Sequence, residues 1–103
     1  MSVVKRPRSL IDLDEIAAHL TEHAGEEIAI RFLDAAEESL VRIASMPASG
    51  ALFECVDPRL RGLRHASIYG FRNHYHFYLE SPSGIELVRV LHAKRDLNTR
   101  LMD

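Results

Sequence analysis

Apolar positions along the chain fall into two regimes. Between residues 10 and 44 they recur every three or four places; from about residue 63 they alternate with polar ones or run together. Leu10, Leu13, Ile16, Ala17 and Leu20 predict an amphipathic helix. Ser9 reads as its N-cap, with Asp12 three residues on in a capping-box-like pattern, and the helix is expected to end near His23. After Gly25, the stripe Ile28, Phe32, Leu33, Ala36, Leu40, Ile43 and Ala44 predicts a second helix, stopped by Pro47. At about twenty residues it would be roughly 30 Å long. Its polar side carries Glu38 and Arg42, four apart in the order that favours a helical ion pair. Two helices across so short a joint predict an antiparallel hairpin.

The flanking segments read as strands. Residues 2–6 predict a short one, broken by Pro7. Asp57-Pro58 and Gly62 punctuate a loop, and residues 63–69 follow as a strand with Gly70 at its turn. Residues 74–80 alternate, which places Tyr75, Phe77 and Leu79 on one face and His74, His76, Tyr78 and Glu80 on the other. The first set is expected to pack under the helices, leaving Tyr78 for a partner contact. Ser81-Pro82-Ser83-Gly84 predicts a compact hairpin loop. In residues 85–92, Leu87 and Leu91 on one side and Val88 and Val90 on the other predict a strand buried on both faces. A last helical turn carries Leu97 and Leu101. The expectation is an α+β fold: a short N-terminal strand and an antiparallel helical hairpin packed on a small, mostly antiparallel β-sheet. With 103 residues and no repeat or linker, residues 1–103 read as a single domain.

Composition sharpens this picture in two places. The single cysteine, Cys55, excludes an internal disulfide framework and reads as a packing residue. With no signal-peptide run and no bilayer-length apolar stretch, a cytoplasmic location without membrane contact is expected. The net charge of −2 conceals a division. Residues 12–38 hold nine acids and one base, so the rest of the chain carries an excess of six positive charges. Residues 59–79 contain Arg59, Arg61, Arg64 and Arg72 and no acid. Either these are two solvated surfaces, or the basic one meets an anionic partner, an acidic protein segment or nucleic acid.

Candidate chemistry is sparse. His74 and His76 share a strand face and His92 falls on a neighbouring strand, but no cysteine or acidic ligand joins them, so neither a metal nor a cofactor is expected. Arg72 beside Gly70 fits an exposed turn residue, a partner for Glu80, or an anion contact; Arg95 and Asp96 fit a local clasp or a binding pair.

Three segments resemble the RelE/ParE toxin superfamily, closer to its ParE branch: residues 9–16 (SLIDLDEI), residues 70–78 (GFRNHYHFY) and residues 85–96 (IELVRVLHAKRD). The valine-rich strand followed by Leu-His and Arg-Asp carries most of the likeness, and together the segments span nearly the whole chain. The resemblance implies the toxin of a type II toxin–antitoxin system, of the kind called plasmid stabilisation toxins. A ParE-like member would inhibit DNA gyrase without a catalytic residue set, be neutralised by a ParD-like antitoxin, and touch DNA only through the antitoxin complex. Arg64, Arg72, Tyr78, His92, Arg95 and Asp96 are then the candidate target or partner contacts.

Two alternatives stay open. A RelE-like ribosome-dependent mRNA endonuclease would need a base, an acid and cations at the phosphodiester. His65, Arg72, His92 and Arg95 are the residues available for it. The lysines that the resemblance implies are replaced by the stretch Leu63-Arg64-His65-Ala66, and the C-terminal tyrosine falls near Leu101. An inactive toxin-like protein, serving only in an antitoxin-bound regulatory complex, is the other.

Overall fold

The computed structural model describes residues 2–93 and 97–101. Strand β1 (Ser2–Lys5) leads into helix α1 (Pro7–Ala24) and helix α2 (Glu26–Ser45). Then come a two-residue strand β2 (Ala51–Leu52), strands β3 (Arg64–Ile68), β4 (Phe71–Ser81) and β5 (Gly84–His92), and a short helix α3 (Leu97–Leu101). The five strands form one sheet in the order β1-β5-β4-β3-β2. Among the paired strands only β1 and β5 run parallel, an arrangement that needs a long connection such as the one the helices begin. The expected α+β architecture is present.

Both helices form where their periodicity places them, but their ends differ from expectation. α1 begins at Pro7, whose missing N–H costs nothing in a first turn. Ser9 is therefore inside the helix, fully buried, with its hydroxyl donating to the Arg6 carbonyl at 2.7 Å. Asp12 is not part of a cap: it is 4 % exposed and faces the sheet. Gly25, at φ 99° and ψ 158°, takes a positive-φ backbone that favours glycine and ends α1, and its carbonyl accepts from Ala29 as α2 begins. Among the ion pairs of the described residues, Glu38–Arg42 is not formed; the Arg42 guanidinium lies over the ring of Tyr69 instead, 5.8 Å from its centroid.

The sheet is covered on both faces. On the helix side, Leu13, Phe32, Ala36, Leu40 and Ile43 meet Ile68, Tyr78, Ile85, Leu87 and Val90. On the other side, Leu60, Leu63, Phe77, Val88, Leu91 and Leu101 make a second cluster, with Phe53, Cys55, Tyr75, Leu79 and Leu97 against it. This reverses the expected faces of β4. Tyr75, Phe77 and Leu79 turn away from the helices, and Tyr78 turns toward them. In β5 the ladder slips by one residue: Phe77 pairs with Arg89 but Tyr78 with Leu87. The extra residue is Val88, a β-bulge that breaks strict alternation. Leu87 and Val90 consequently face the helices while Val88 and Leu91 face the second cluster, a division that period-2 counting assigns differently.

Candidate functional site

Four tethers to the sheet set where functional side chains can lie. The first is Arg89, 2 % exposed at the bulge of β5. Its Nε and Nη2 donate to the two carboxylate oxygens of Asp12 at 2.7 and 3.0 Å, and the Val90 amide donates to the same carboxylate at 3.0 Å. Nη1 donates to the Arg100 carbonyl. One guanidinium thus ties α1, β5 and α3 together. Composition could have pointed to it: an arginine inside Leu87-Val88-Arg89-Val90-Leu91 and an aspartate on the inner stripe of α1 each require a buried counter-charge.

Tyr78 is the second tether. It is fully buried, donating to the Pro47 carbonyl at 2.7 Å and accepting from the Gly50 amide at 2.9 Å. The expected surface position is corrected: the ring is part of the core and its hydroxyl fastens the segment after α2. Arg64 is the third, donating to the Gly50 carbonyl at 2.7 Å and facing Glu80 at 3.4 Å. It, and not Arg72, is the partner of Glu80. His76 is the fourth, buried on the helix side of β4. Its Nε2 lies 3.0 Å from the Ala36 carbonyl, so that nitrogen carries the proton, and burial lowers its pKa to about 4.

The remaining candidates gather at one end of the sheet. His74 and His92 are cross-strand partners, with ring centroids 5.0 Å apart and the rings edge to face. His74 also meets Phe32, at 5.2 Å. Burial, with repulsion from His92 and His19, lowers its pKa to about 4, so at neutral pH it offers a lone pair and an N–H but no charge. The two imidazoles line a cleft of about 370 Å³ whose walls include Asp12, Glu15, His19 and Arg100. They also line an adjoining groove of about 550 Å³ that carries Arg72 and Asn73. Arg72 is exposed there. Among the described residues no group of three or more histidine, cysteine or acidic side chains is arranged to hold a metal ion.

His65 is not part of this gathering. It packs between Phe53 and Phe77 on the second cluster, with ring centroids 5.6 and 5.8 Å away, and burial lowers its pKa. His74 and His92 lie on the helix side, so the histidines expected to act together in a nuclease stand on opposite faces of the sheet. Arg95 and Asp96 lie outside the described residues. Cys55 is half-buried against the second cluster. No helix among the described residues is long and apolar enough to cross a membrane.

Comparison with known proteins agrees with this architecture. A solved structure, the chromosomal ParDE TA system from P. aeruginosa, superposes with a TM-score of 0.74 at 19 % identity, over 91 % of this chain and 97 % of the other. At that identity the likeness concerns the fold. Comparison with curated protein sequences gives no match. The family model described as ParE toxin of type II toxin-antitoxin system, parDE, matches residues 3–97, nearly the whole chain, and the protein therefore belongs to the ParE toxin family.

Proposed function

We propose that this toxin acts in the cytoplasm by binding DNA gyrase, not by cleaving RNA, and that a ParD-like antitoxin neutralises it. The observation that carries the reading is the division of the candidate nuclease groups. His65 is held against Phe77 on one face, His92 against His74 on the other, and Leu101, near the position where a RelE-like enzyme would carry a tyrosine, is an aliphatic core residue at 5 % exposure. General acid–base catalysis needs its proton donors and acceptors within hydrogen-bond reach of one phosphodiester, an arrangement that opposite faces of a sheet do not provide. What the surface offers is a docking site: the groove with Arg72 and His92 at the end of the sheet, with Arg95 and Asp96 following in the chain.

Partner neutralisation is supported by the outer side of the hairpin. Leu10 and Ile11 on α1 and Ile30 and Val41 on α2 are 46, 47, 52 and 66 % exposed. Exposed apolar side chains on the two helices of a small domain suit a covering polypeptide.

Purified protein incubated with gyrase, ATP and supercoiled plasmid is expected to accumulate covalently cleaved, enzyme-linked DNA. Arg72→Glu should lower the yield at least about tenfold, because reversing a charge at a docking contact adds repulsion to the lost attraction. A cleaved complex that fails to form at any ratio of toxin to gyrase, together with cleavage of ribosome-bound mRNA by the same preparation, would give the function to the nuclease.

A further inference from the structure

The β3–β4 hairpin tip presents an arrangement that the gyrase reading uses only at Arg72. Ile68 pairs with Phe71, so Tyr69 and Gly70 alone make the turn, with Gly70 at φ 84° in the left-handed region. The next step of the ladder joins Ser67 to Tyr75, so three residues of β4 (Arg72, Asn73 and His74) are passed over and pushed out of register with β3. Arg72 and Asn73 are exposed beside the turn as a result. Tyr69 itself is 78 % exposed, and Arg42 from α2 backs its ring.

Two arginines without a carboxylate partner stand beside this ring. Arg6, Arg8, Arg59, Arg64 and Arg89 each have a carboxylate partner. Arg42 and Arg72, like Arg31 and Arg61, form no ion pair among the described residues; Arg42 lies over the Tyr69 ring and Arg72 follows the turn, and residues 59–79 contain no acid. The turn stands between two shallow hollows, one walled by Ser39, Arg42 and Ser67, the other by Arg72 and Asn73.

The geometry points to a binding site for single-stranded nucleic acid at this tip, with a base stacked on the open face of Tyr69 and adjacent phosphates met by Arg42 and Arg72. An aromatic ring backed by a guanidinium is a flat platform with one face held and the other open. It matches an unstacked base of any identity, and the flanking cations match the charge on either side of that base. A carboxylate-bearing peptide would use the arginines but has no need of the ring. Base pairs in an intact duplex keep their faces stacked, so the platform selects an opened strand. The contact is direct, unlike the antitoxin-mediated one expected from sequence, and it rests on this surface alone, independent of gyrase.

The test is fluorescence anisotropy of a labelled single-stranded oligonucleotide of about ten nucleotides, with the purified protein at low salt and no gyrase present. Saturable binding that weakens as salt rises is expected. Tyr69→Ala should reduce affinity at least about fivefold, the lower end for one stacked base, whereas Tyr69→Phe keeps the ring and should bind as the parent does. Arg72→Gln and Arg42→Gln should each flatten the salt dependence by roughly one phosphate contact. All these side chains are exposed, and circular dichroism checks that each variant is folded. Absence of binding at low salt, or Tyr69→Ala binding as tightly as the parent, overturns the proposal. Displacement of the oligonucleotide by a polyglutamate peptide whose own affinity falls equally on Tyr69→Ala assigns the surface to an acidic protein and overturns it as well.

Discussion

A guanidinium in the middle of an otherwise apolar strand must find its counter-charge inside the protein, and Arg89 does so 77 residues away in the chain, on Asp12. The pair is satisfied on nearly every side: two guanidinium nitrogens and the Val90 amide converge on one carboxylate, and a third nitrogen reaches the Arg100 carbonyl. Removing one member leaves the other charged, buried and unpaired. Asp12→Asn and Arg89→Leu are each expected to lower the unfolding free energy by about 3–5 kcal/mol. Replacing both by apolar residues of similar volume should restore much of the loss. Urea denaturation of the two singles and the double closes the cycle; single variants that each cost less than about 1 kcal/mol would mean the pair is not the clasp described. Asp12 also shows why residue-level reading from sequence falters. An aspartate three places after a serine has the spacing of a cap, and spacing carries no information about a partner so distant in the chain. Tyr78 was misplaced for another reason. Alternation sets it opposite Phe77, but it is the Tyr78 side that the helices cover, and two backbone partners at Pro47 and Gly50 satisfy its hydroxyl inside.

At the scale of elements, α1, α2 and the four longer strands were legible because each depends on local periodicity that burial then rewards. β2 was not, since two residues carry no period and exist as a strand only through pairing with Arg64 and His65. The faces of β5 differ from the alternation because Val88 interrupts the count without any turn residue to announce it; in β4 the alternation holds, and what it could not tell is which face the helices cover, since both faces are buried. The edge strand β1 depends on another local feature. Ser2 pairs with Gly84, and a Cβ at Gly84 would fall on the backbone of Ser2, with Ser2 C only 2.9 Å away. No side-chain movement relieves a backbone clash, so β1 must shift. Gly84→Ala is expected to cost about 1–3 kcal/mol and to raise amide exchange selectively in residues 2–5, leaving β3–β4 protected. Uniform loss of protection across the sheet would show that β1 does not move by itself.

For the molecule as a whole, the uneven charge seen in the sequence becomes a two-sided object. Asp14, Glu15, Glu22, Glu26, Glu27, Asp34, Glu37 and Glu38 are exposed on the hairpin, while Arg42 and Arg72 stand unpaired at the β3–β4 tip. The same hairpin also covers imidazoles, and this fixes how the fold responds to acid. Burial lowers His76 from an ordinary 6.5 to about 4, and His74 to about 4 with help from neighbouring imidazoles. Above pH 6.5 both are neutral whether the chain is folded or not, and their contribution to stability is complete. As the pH falls below 6.5 the unfolded chain takes up these protons while the folded one resists until about 4, so the folded state loses ground throughout that window. For His76 the loss is on the order of 3 kcal/mol at 1.36 kcal/mol per pH unit; the partly covered His74 adds less. Asp57 and Glu86, whose pKa values Arg59 and Arg6 hold below their ordinary 3.8 and 4.5, lose their contribution as the pH falls below those ordinary values, at the acid edge of this window and beyond. The denaturation midpoint in urea should therefore be level above pH 6.5 and decline steadily toward 4. His76→Leu should flatten most of that decline, since the leucine fills the site without a titrating group. If the parent protein held a constant midpoint across the window, His76 would be taking up its proton as readily in the folded chain as in the unfolded one, and its site would not be the closed core that burial describes.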